Sequence, residues 1–537
     1  MASNTVTLDA LIPREDFAIE TAAPRPTAPI DKIDVVHLEG HFFGSLLRKP
    51  DFQRETNQWT PAKVADLVKA YVDLDLIPAV ILWKSGNYYF VIDGAHRLSA
   101  LMAWIYDDYG DRQRSLDYFG GQISEEQRKV AQRTRNLVNK TVGGSYAEYV
   151  AHRRNLQGAP PEMQQRLSNL GDNSFIAQWV PATDAVTAEK SFFKINQAAT
   201  PIDATESRIL KSRRSASAIA ARAITHAGTG HKYWSAFDNV TGDRIETSGR
   251  EIYHALYDPP LGGRPVTTLD VPVAGRGYNA LPFVFDLVNH VNGVDVVDTT
   301  AKKQAVKDKL PDDPDGMQTL QFLKVVEKRL SRITGDQPSA LGLHPVVYFY
   351  TRGGAFQPTA FLATSLFIEE LAEAKKLIAF TDIRAKFEAF LIEHKEALSL
   401  LTHKYGSGVR SLPWIKAYLT RVAGDFWKGM AAAAIQESFK TDPEFAFLTV
   451  PRAPANGDGQ EKKPFSANTK TAAFFAAALA TGTKCRICGA LVHKNSVQFD
   501  HKHRASDGGT GDFENAQVTH PFCNSTYKER QVRAASS

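Results

Sequence analysis

Cysteine is scarce in this chain, with three in 537 residues. So few exclude a disulfide framework and suit a reducing compartment. Long apolar runs are missing as well. The longest, "TAAFFAAALA" from Thr471, covers about half of a bilayer crossing. The first residues, "MASNTVTLDALIPREDF", lack the basic and apolar blocks of a secretory signal. These gaps lead to the expectation of a cytoplasmic protein with no membrane contact. Charge of neither sign dominates. A net charge of +5 permits nucleic acid as a partner without demanding it.

What is present is ordinary globular composition, 43% hydrophobic and 23% charged. The length asks for roughly two to four domains, and no internal repeat is visible. Residues 1–30, rich in Pro, Ala and Thr, are expected to be a flexible arm. The clearest boundary is "PRAPANGDGQEKKPFSANTK", 451–470, where Pro, Gly, Asn and Lys dominate and no apolar period survives. It reads as a linker between a body, divided into 31–225 and a mostly helical 226–450, and a tail, 471–537. A tail of that size is where a structural metal supplements a small core. The expected fold class is α+β and multidomain.

The body opens with a readable α/β module. "TPAKVADLVKAYV" places Thr60 at an N-cap and Pro61 at the first helical position, with Val64, Leu67, Val68 and Tyr71 on one face. "PAVILW" (78–83) and "YYFVID" (88–93) are rich in β-formers and flank the hairpin signal "KSGN". A second helix follows, with Leu98, Leu101, Met102 and Ile105 at helical spacing. Further on, "ESRILKSRRSASAIAARAI" and "LATSLFIEELAEAKKLIAF" read as helices, whereas 240–310 is irregular and rich in Gly, Pro and Asp.

All three cysteines lie in the tail. Cys485-x2-Cys488 has zinc-knuckle spacing, and His520-x2-Cys523 repeats it downstream. A Cys3His site closes a tetrahedron and uses every thiol in the chain. His493 is the competing fourth ligand, without a partner at knuckle spacing.

Between the two ligand pairs stand Asp500-His501, Gly508-Gly509 and Asn515, and Asn524 follows Cys523 directly. This order resembles the HNH nuclease family, the ββα-metal fold, over roughly 485–530. It departs in carrying His520 where the family commonly has cysteine. The resemblance implies phosphodiester hydrolysis, with His501 as general base and Asp500 and Asn524 holding Mg2+ or Mn2+. It further implies that Asn515 braces the loop and orients His501 through a backbone contact. Hard oxygen ligands suit such an ion, and the sulfur-rich knuckle does not. Lys502, Arg504, Lys528 and Arg530 read either as phosphate contacts or as a solvated face. His503 would share a strand face with His501 and offer a second ligand or a substrate contact; the plainer reading is an exposed basic residue.

Near the front, "VIDGAHRLSAL" runs strand, turn, helix. Gly94 permits the turn, and Arg97 sits in the first helical turn, where free N–H groups attract anions. Asp93 would cap that helix or act on a phosphate. With "PDFQRETNQW", "IPAVILW" and "FFKINQAATPIDATE" in order, the stretch 35–225 resembles the DGQQR-motif domain of GmrSD- and SspE-type restriction nucleases, ParB-like in its core. Here the motif is Asp93-Gly94-Ala95-His96-Arg97, and both glutamines are lost. The resemblance implies nucleotide binding, an associated NTPase activity, and an HNH partner domain acting in defence against phage DNA. Gln53, Arg54 and Asn196 would stand near the phosphates. The alternative reading pairs Arg54 with an acidic residue and makes Asn196 a helix cap. Arg208, Lys211, Arg214 and Arg222 form a basic stripe that either tracks a DNA backbone or, more simply, is exposed.

These readings converge on a restriction-type DNA endonuclease with structural zinc, a catalytic Mg2+ or Mn2+, and an NTP-responsive front domain. Its partners would be duplex DNA, foreign or modified, and a nucleotide; a homo-oligomer is compatible. The alternatives are a ParB-like regulator whose tail grips DNA without cutting it, and a mobile-element HNH nuclease.

Overall fold

The apolar runs on either side of "SGN" form the central hairpin of a six-stranded sheet. The computed structural model describes residues 5–16, 30–40, 42–181, 185–198, 204–275, 280–294, 309–406, 408–449 and 464–529. They fall into two units, Ala2–Glu246 with Lys302–Thr319, and Thr247–Ala301 with Leu320–Ser537. Among the described residues no helix is long and apolar enough to cross a membrane.

The N-terminal unit holds β1 (Arg14–Glu15), β2 (Lys32–Ile33), β3 (Leu47–Pro50), β4 (Val80–Ser85), β5 (Tyr88–Asp93) and β6 (Phe175–Trp179), in the order β1-β3-β5-β4-β6-β2. β4 and β5 are antiparallel with Ser85 opposite Tyr88, so Gly86-Asn87 is a two-residue turn. β3 runs parallel to β5, and β6 parallel to β4. Alternation sends Val80, Leu82 and Val91 into the larger core, against α1 (Pro61–Val72) and α2 (Ala95–Tyr106). Trp83, Phe90 and Ile92 point the other way. There they meet Phe52 and Phe192, the latter on α4 (Ala185–Ala198), which follows α3 (Glu125–Val142). α1 begins as its sequence dictates: the Thr60 hydroxyl accepts from the Lys63 amide at 3.4 Å, and Pro61 follows.

Two expectations for this unit are corrected. Residues 5–16 are not an arm. Val6, Leu8, Leu11 and Ile12 are buried in the core, and the Val6 and Leu8 amides donate to the Trp59 and Thr56 carbonyls at 2.9 and 2.8 Å. The basic stripe is not one helical face either. α5 (Ala204–Lys211) stops, and α6 (Ala216–Thr225) restarts on a Ser215 cap. Lys211 and Arg214 are exposed, but Arg208 and Arg222 are buried, and the Arg222 guanidinium lies 3.8 Å from the centre of the Tyr233 ring.

α7 (Asn239–Tyr257) carries the chain into the C-terminal unit, which is mostly helical. The segment 362–380, read as one helix, is broken. α9 (Pro358–Glu373), which follows α8 (Met317–Ile333), ends before Lys375 at φ +56°, and α10 restarts over Leu377–Glu393. The turn folds two apolar faces together, with Phe367 5.7 Å from Phe380 and 6.0 Å from Phe387 between ring centres. α11 (Leu412–Trp427) packs on α9 and α10. The Ser466 hydroxyl caps α12 (Ala467–Thr481) by accepting from the Thr469 amide at 3.1 Å. The last residues of the expected linker are therefore helical; 450–463 lies outside the described residues.

The tail adds one antiparallel hairpin, β7 (Gln498–His501) and β8 (Ala516–Thr519), and a helical segment over 521–529. It is docked on α10 and on the loop that follows α8. The Phe522 amide donates to the Ala340 carbonyl at 3.0 Å, the Tyr527 hydroxyl to Asp382 at 2.5 Å, and the Leu491 amide to Glu388 at 3.2 Å.

Candidate active site and metal centre

A tight turn at Cys485–Cys488 and the first turn of the terminal helical segment at His520–Cys523, each with two residues between its ligands, bring the four side chains together. Their ligand atoms all lie within 4.8 Å of one another. His520 Nδ1 is 3.4 Å from the Cys488 sulfur and 3.8 Å from that of Cys523. The far ring nitrogen, Nε2, donates to the Leu491 carbonyl at 3.0 Å, which turns Nδ1 toward the sulfurs. This Cys3His set could hold a structural metal, and its sulfur-rich tetrahedral character suits zinc. His493, the competing ligand, stands outside the group. It is buried against His344 at 5.5 Å, and its Nδ1 accepts from the Asn495 amide at 3.4 Å.

The hairpin built on this staple has two different faces. Gln498 and Asp500 point one way along β7, and Phe499 and His501 are exposed on the other. On the first face, two contacts run side by side to the terminal helical segment. Asn524 Nδ2 donates to Gln498 Oε1 at 3.1 Å, and Lys528 Nζ lies 2.8 and 2.7 Å from the two Asp500 oxygens. Gln517, opposite Asp500 in β8, donates to the same carboxylate at 2.9 Å. The Asn524 amide nitrogen is engaged by Gln498, which leaves its carbonyl oxygen as the donor for a cation. A carboxylate and an amide oxygen are the chemistry of a hard divalent ion that keeps several of its waters.

The loop between the strands is held by Asn515, which is buried. Its side chain accepts from the His503 amide at 2.7 Å and donates to the His503 and Thr510 carbonyls at 3.0 and 2.6 Å. Its own carbonyl accepts from the Lys502 amide at 2.8 Å. The contact is with the residues just past His501 and not with His501 itself. β7 ends at His501, so His503 lies in the turn and does not share a strand face with it. Gly509 passes close under this loop: a Cβ there would come 1.9 Å from the His503 carbonyl oxygen. Of the basic residues in the tail, Lys502 donates to the Glu514 carbonyl at 2.6 Å and Arg504 pairs with Glu529 at 2.5 Å. Arg530 lies outside the described residues.

In the N-terminal unit, β5 ends at Asp93, and Gly94 adopts φ +97° as the cap of α2. Asp93 does not cap the helix. Its carboxylate pairs with Arg97 at 2.7 Å, and the same guanidinium nitrogen donates to the Ala79 carbonyl at 2.9 Å. Gln53 donates to the Ile92 carbonyl at 3.5 Å, and the His96 ring stacks on Trp59 at 5.6 Å. Gln53 Oε1, His96 Nε2 and Arg97 Nε are enclosed without a hydrogen-bond partner. Enclosed polar atoms of this kind cost about 1–3 kcal/mol each, which a bound polar ligand would offset. Burial, followed by the positive charges of Lys49, Arg54 and Arg97, pushes His96 down to about 4. Arg54 lies 3.7 Å from Glu206. The side chain of Asn196 lies outside the described residues.

Sequence reasoning passed over Lys49 and Asp9 here. The Lys49 ammonium is wholly buried, 2.6 Å from Asp9 Oδ1, and burial brings it down to about 8. A Lys between Arg48 and Pro50 gives no local sign of burial; its partner lies forty residues away.

The knuckle, the Asp-His hairpin and the terminal Asn together define a nuclease module, and residues 485–530 match the family model for HNH endonuclease. Residues 36–214 match that for GmrSD restriction endonuclease, N-terminal domain. In this order the two matches give the chain the architecture of a GmrSD-type restriction nuclease. No curated protein and no solved structure matches it.

Proposed function

We propose that the chain is a metal-dependent DNA endonuclease or nickase of anti-phage defence, whose N-terminal unit binds a nucleotide and governs cutting. The observation that carries the reading is the two-faced hairpin: Asp500 on the face where Gln498 meets Asn524, and an exposed His501 on the opposite face of the same strand. Asp500 and the Asn524 carbonyl would hold Mg2+ or Mn2+, which when bound neutralises charge on the phosphate oxygens. His501 takes a proton from water, the hydroxide attacks phosphorus, and the bond from phosphorus to the leaving oxygen breaks. That oxygen takes its proton from solvent. Asn515 holds the loop after His501 and thereby sets where the imidazole stands.

The nucleotide reading is supported by the enclosed, unpartnered atoms of Gln53, His96 and Arg97 beside the α2 N-terminus. NTP hydrolysis and recognition of foreign or modified duplex DNA follow from the same reading.

The test is a supercoiled-plasmid assay with Mg2+ or with EDTA, with and without NTP, on modified and unmodified DNA. His501→Ala is expected to lose cutting by at least about a hundredfold at unchanged zinc content. Wild type that binds the plasmid but leaves it intact under every condition would favour a regulator without cleavage. Cutting indifferent to NTP and to modification would favour a mobile-element nuclease.

A further inference from the structure

We infer that Lys528 is a built-in counter-cation of Asp500, which a divalent ion has to displace before the site can work. The inference rests on the proposed role of Asp500 as an ion ligand. An ammonium has three hydrogens to donate, and Lys528 finds three acceptors: Asp500 Oδ1 at 2.8 Å, Asp500 Oδ2 at 2.7 Å and the His501 carbonyl at 2.8 Å. Gln517 takes a further lone pair of Oδ2 at 2.9 Å. The Asp500 side chain is 9% exposed and that of Lys528 18%, so this is a seated pair and not a lysine adrift on the surface.

A divalent ion and this ammonium need the same two oxygens and repel each other at that distance. Entry of the ion therefore turns Lys528 out on its flexible four-carbon stem. The displaced ammonium needs a new anion, and a DNA phosphate at the site supplies one. Ion and DNA consequently bind with positive coupling, each strengthening the other by the same factor. Ion loading stays weak until a strand is present, which restrains a host-endangering activity without a separate inhibitor.

The experiment is a Mn2+ titration of the zinc-loaded full chain, read by electron paramagnetic resonance, with and without an uncleavable phosphorothioate duplex. Lys528→Met is expected to bind Mn2+ at least about tenfold more tightly than wild type without DNA. The duplex is expected to tighten Mn2+ binding in wild type and much less in the variant. Lys528→Arg keeps the cation and is expected to stay weak. Zinc content and melting temperature identify folded variants, and Lys528→Gln is read the same way if Lys528→Met loses its zinc. Equal or weaker Mn2+ binding by the uncharged variants overturns the inference. Asp500→Asn separates its failure from that of the underlying reading: Mn2+ binding indifferent to Asp500→Asn removes Asp500 as the ligand. Binding that is lost with Asp500→Asn but indifferent to Lys528 removes only the inference.

Discussion

Arg384 and Glu388, one turn apart on α10, form a wholly buried ion pair at 2.7 Å. The pair faces outward to two other segments. Arg384 donates to the Leu341 and Gly342 carbonyls, and the second Glu388 oxygen accepts from the Leu491 amide at 3.2 Å. Burial lowers the Arg384 pKa, and the charges of Glu388, Cys488, Tyr348 and Cys523 more than reverse it. With Zn2+ bound, three thiolates and a neutral imidazole would carry one net negative charge, which the Arg384 guanidinium would help to balance.

Arg384→Met should accordingly leave Glu388 buried and uncompensated, at a cost of about 3–5 kcal/mol. Urea unfolding of the full chain, followed by zinc release, measures it. Adding Glu388→Leu to the first change should recover part of the loss, because an apolar pair no longer strands a charge. A double variant no better than the single one would show that the two residues act separately.

Zinc should be bound at about one ion per chain and be lost from His520→Ala and Cys523→Ser. His493→Ala should keep it, since His493 lies outside the ligand group. Metal analysis after gel filtration checks this. Chelation should unfold the tail, whose hairpin is held between the two ligand pairs.

Gly94→Ala should destabilise the N-terminal unit. The residue sits at φ +97°, and a Cβ would come 2.7 Å from Val80 Cγ1 on β4. Strain and contact together should cost about 1–3 kcal/mol, visible as a lower urea midpoint.

The Cys3His cluster was legible because each pair is a local unit whose spacing is itself the geometry. The β4–β5 hairpin was legible for the same reason: two apolar runs and a two-residue turn suffice. What escaped the sequence depends on distant partners. Lys528 reads as one basic residue among several until Asp500, twenty-eight positions earlier, is placed against it. Arg222 looks like a surface charge until Tyr233 covers it. The break at Lys375 obeys packing: Phe367 and Phe380 must meet, and one straight helix would have held them apart.

Acid should weaken the N-terminal unit through His96. Its folded pKa is about 4 against an unfolded value of about 6.5. Because the folded pKa is the lower, the unfolded chain binds more protons between those values. The contribution is fully present above the unfolded pKa and is lost as pH falls toward 4. Between pH 7 and pH 5 the loss should be about 2 kcal/mol. His96→Gln, which cannot titrate, should flatten that part of the stability profile and leave other acid-sensitive groups to act as before. The measurement is the urea midpoint of both proteins across pH 4.5–7.5. Parallel curves would mean that His96 titrates in the folded chain as it does in the unfolded one, so that burial and the neighbouring Lys49, Arg54 and Arg97 do not hold it neutral.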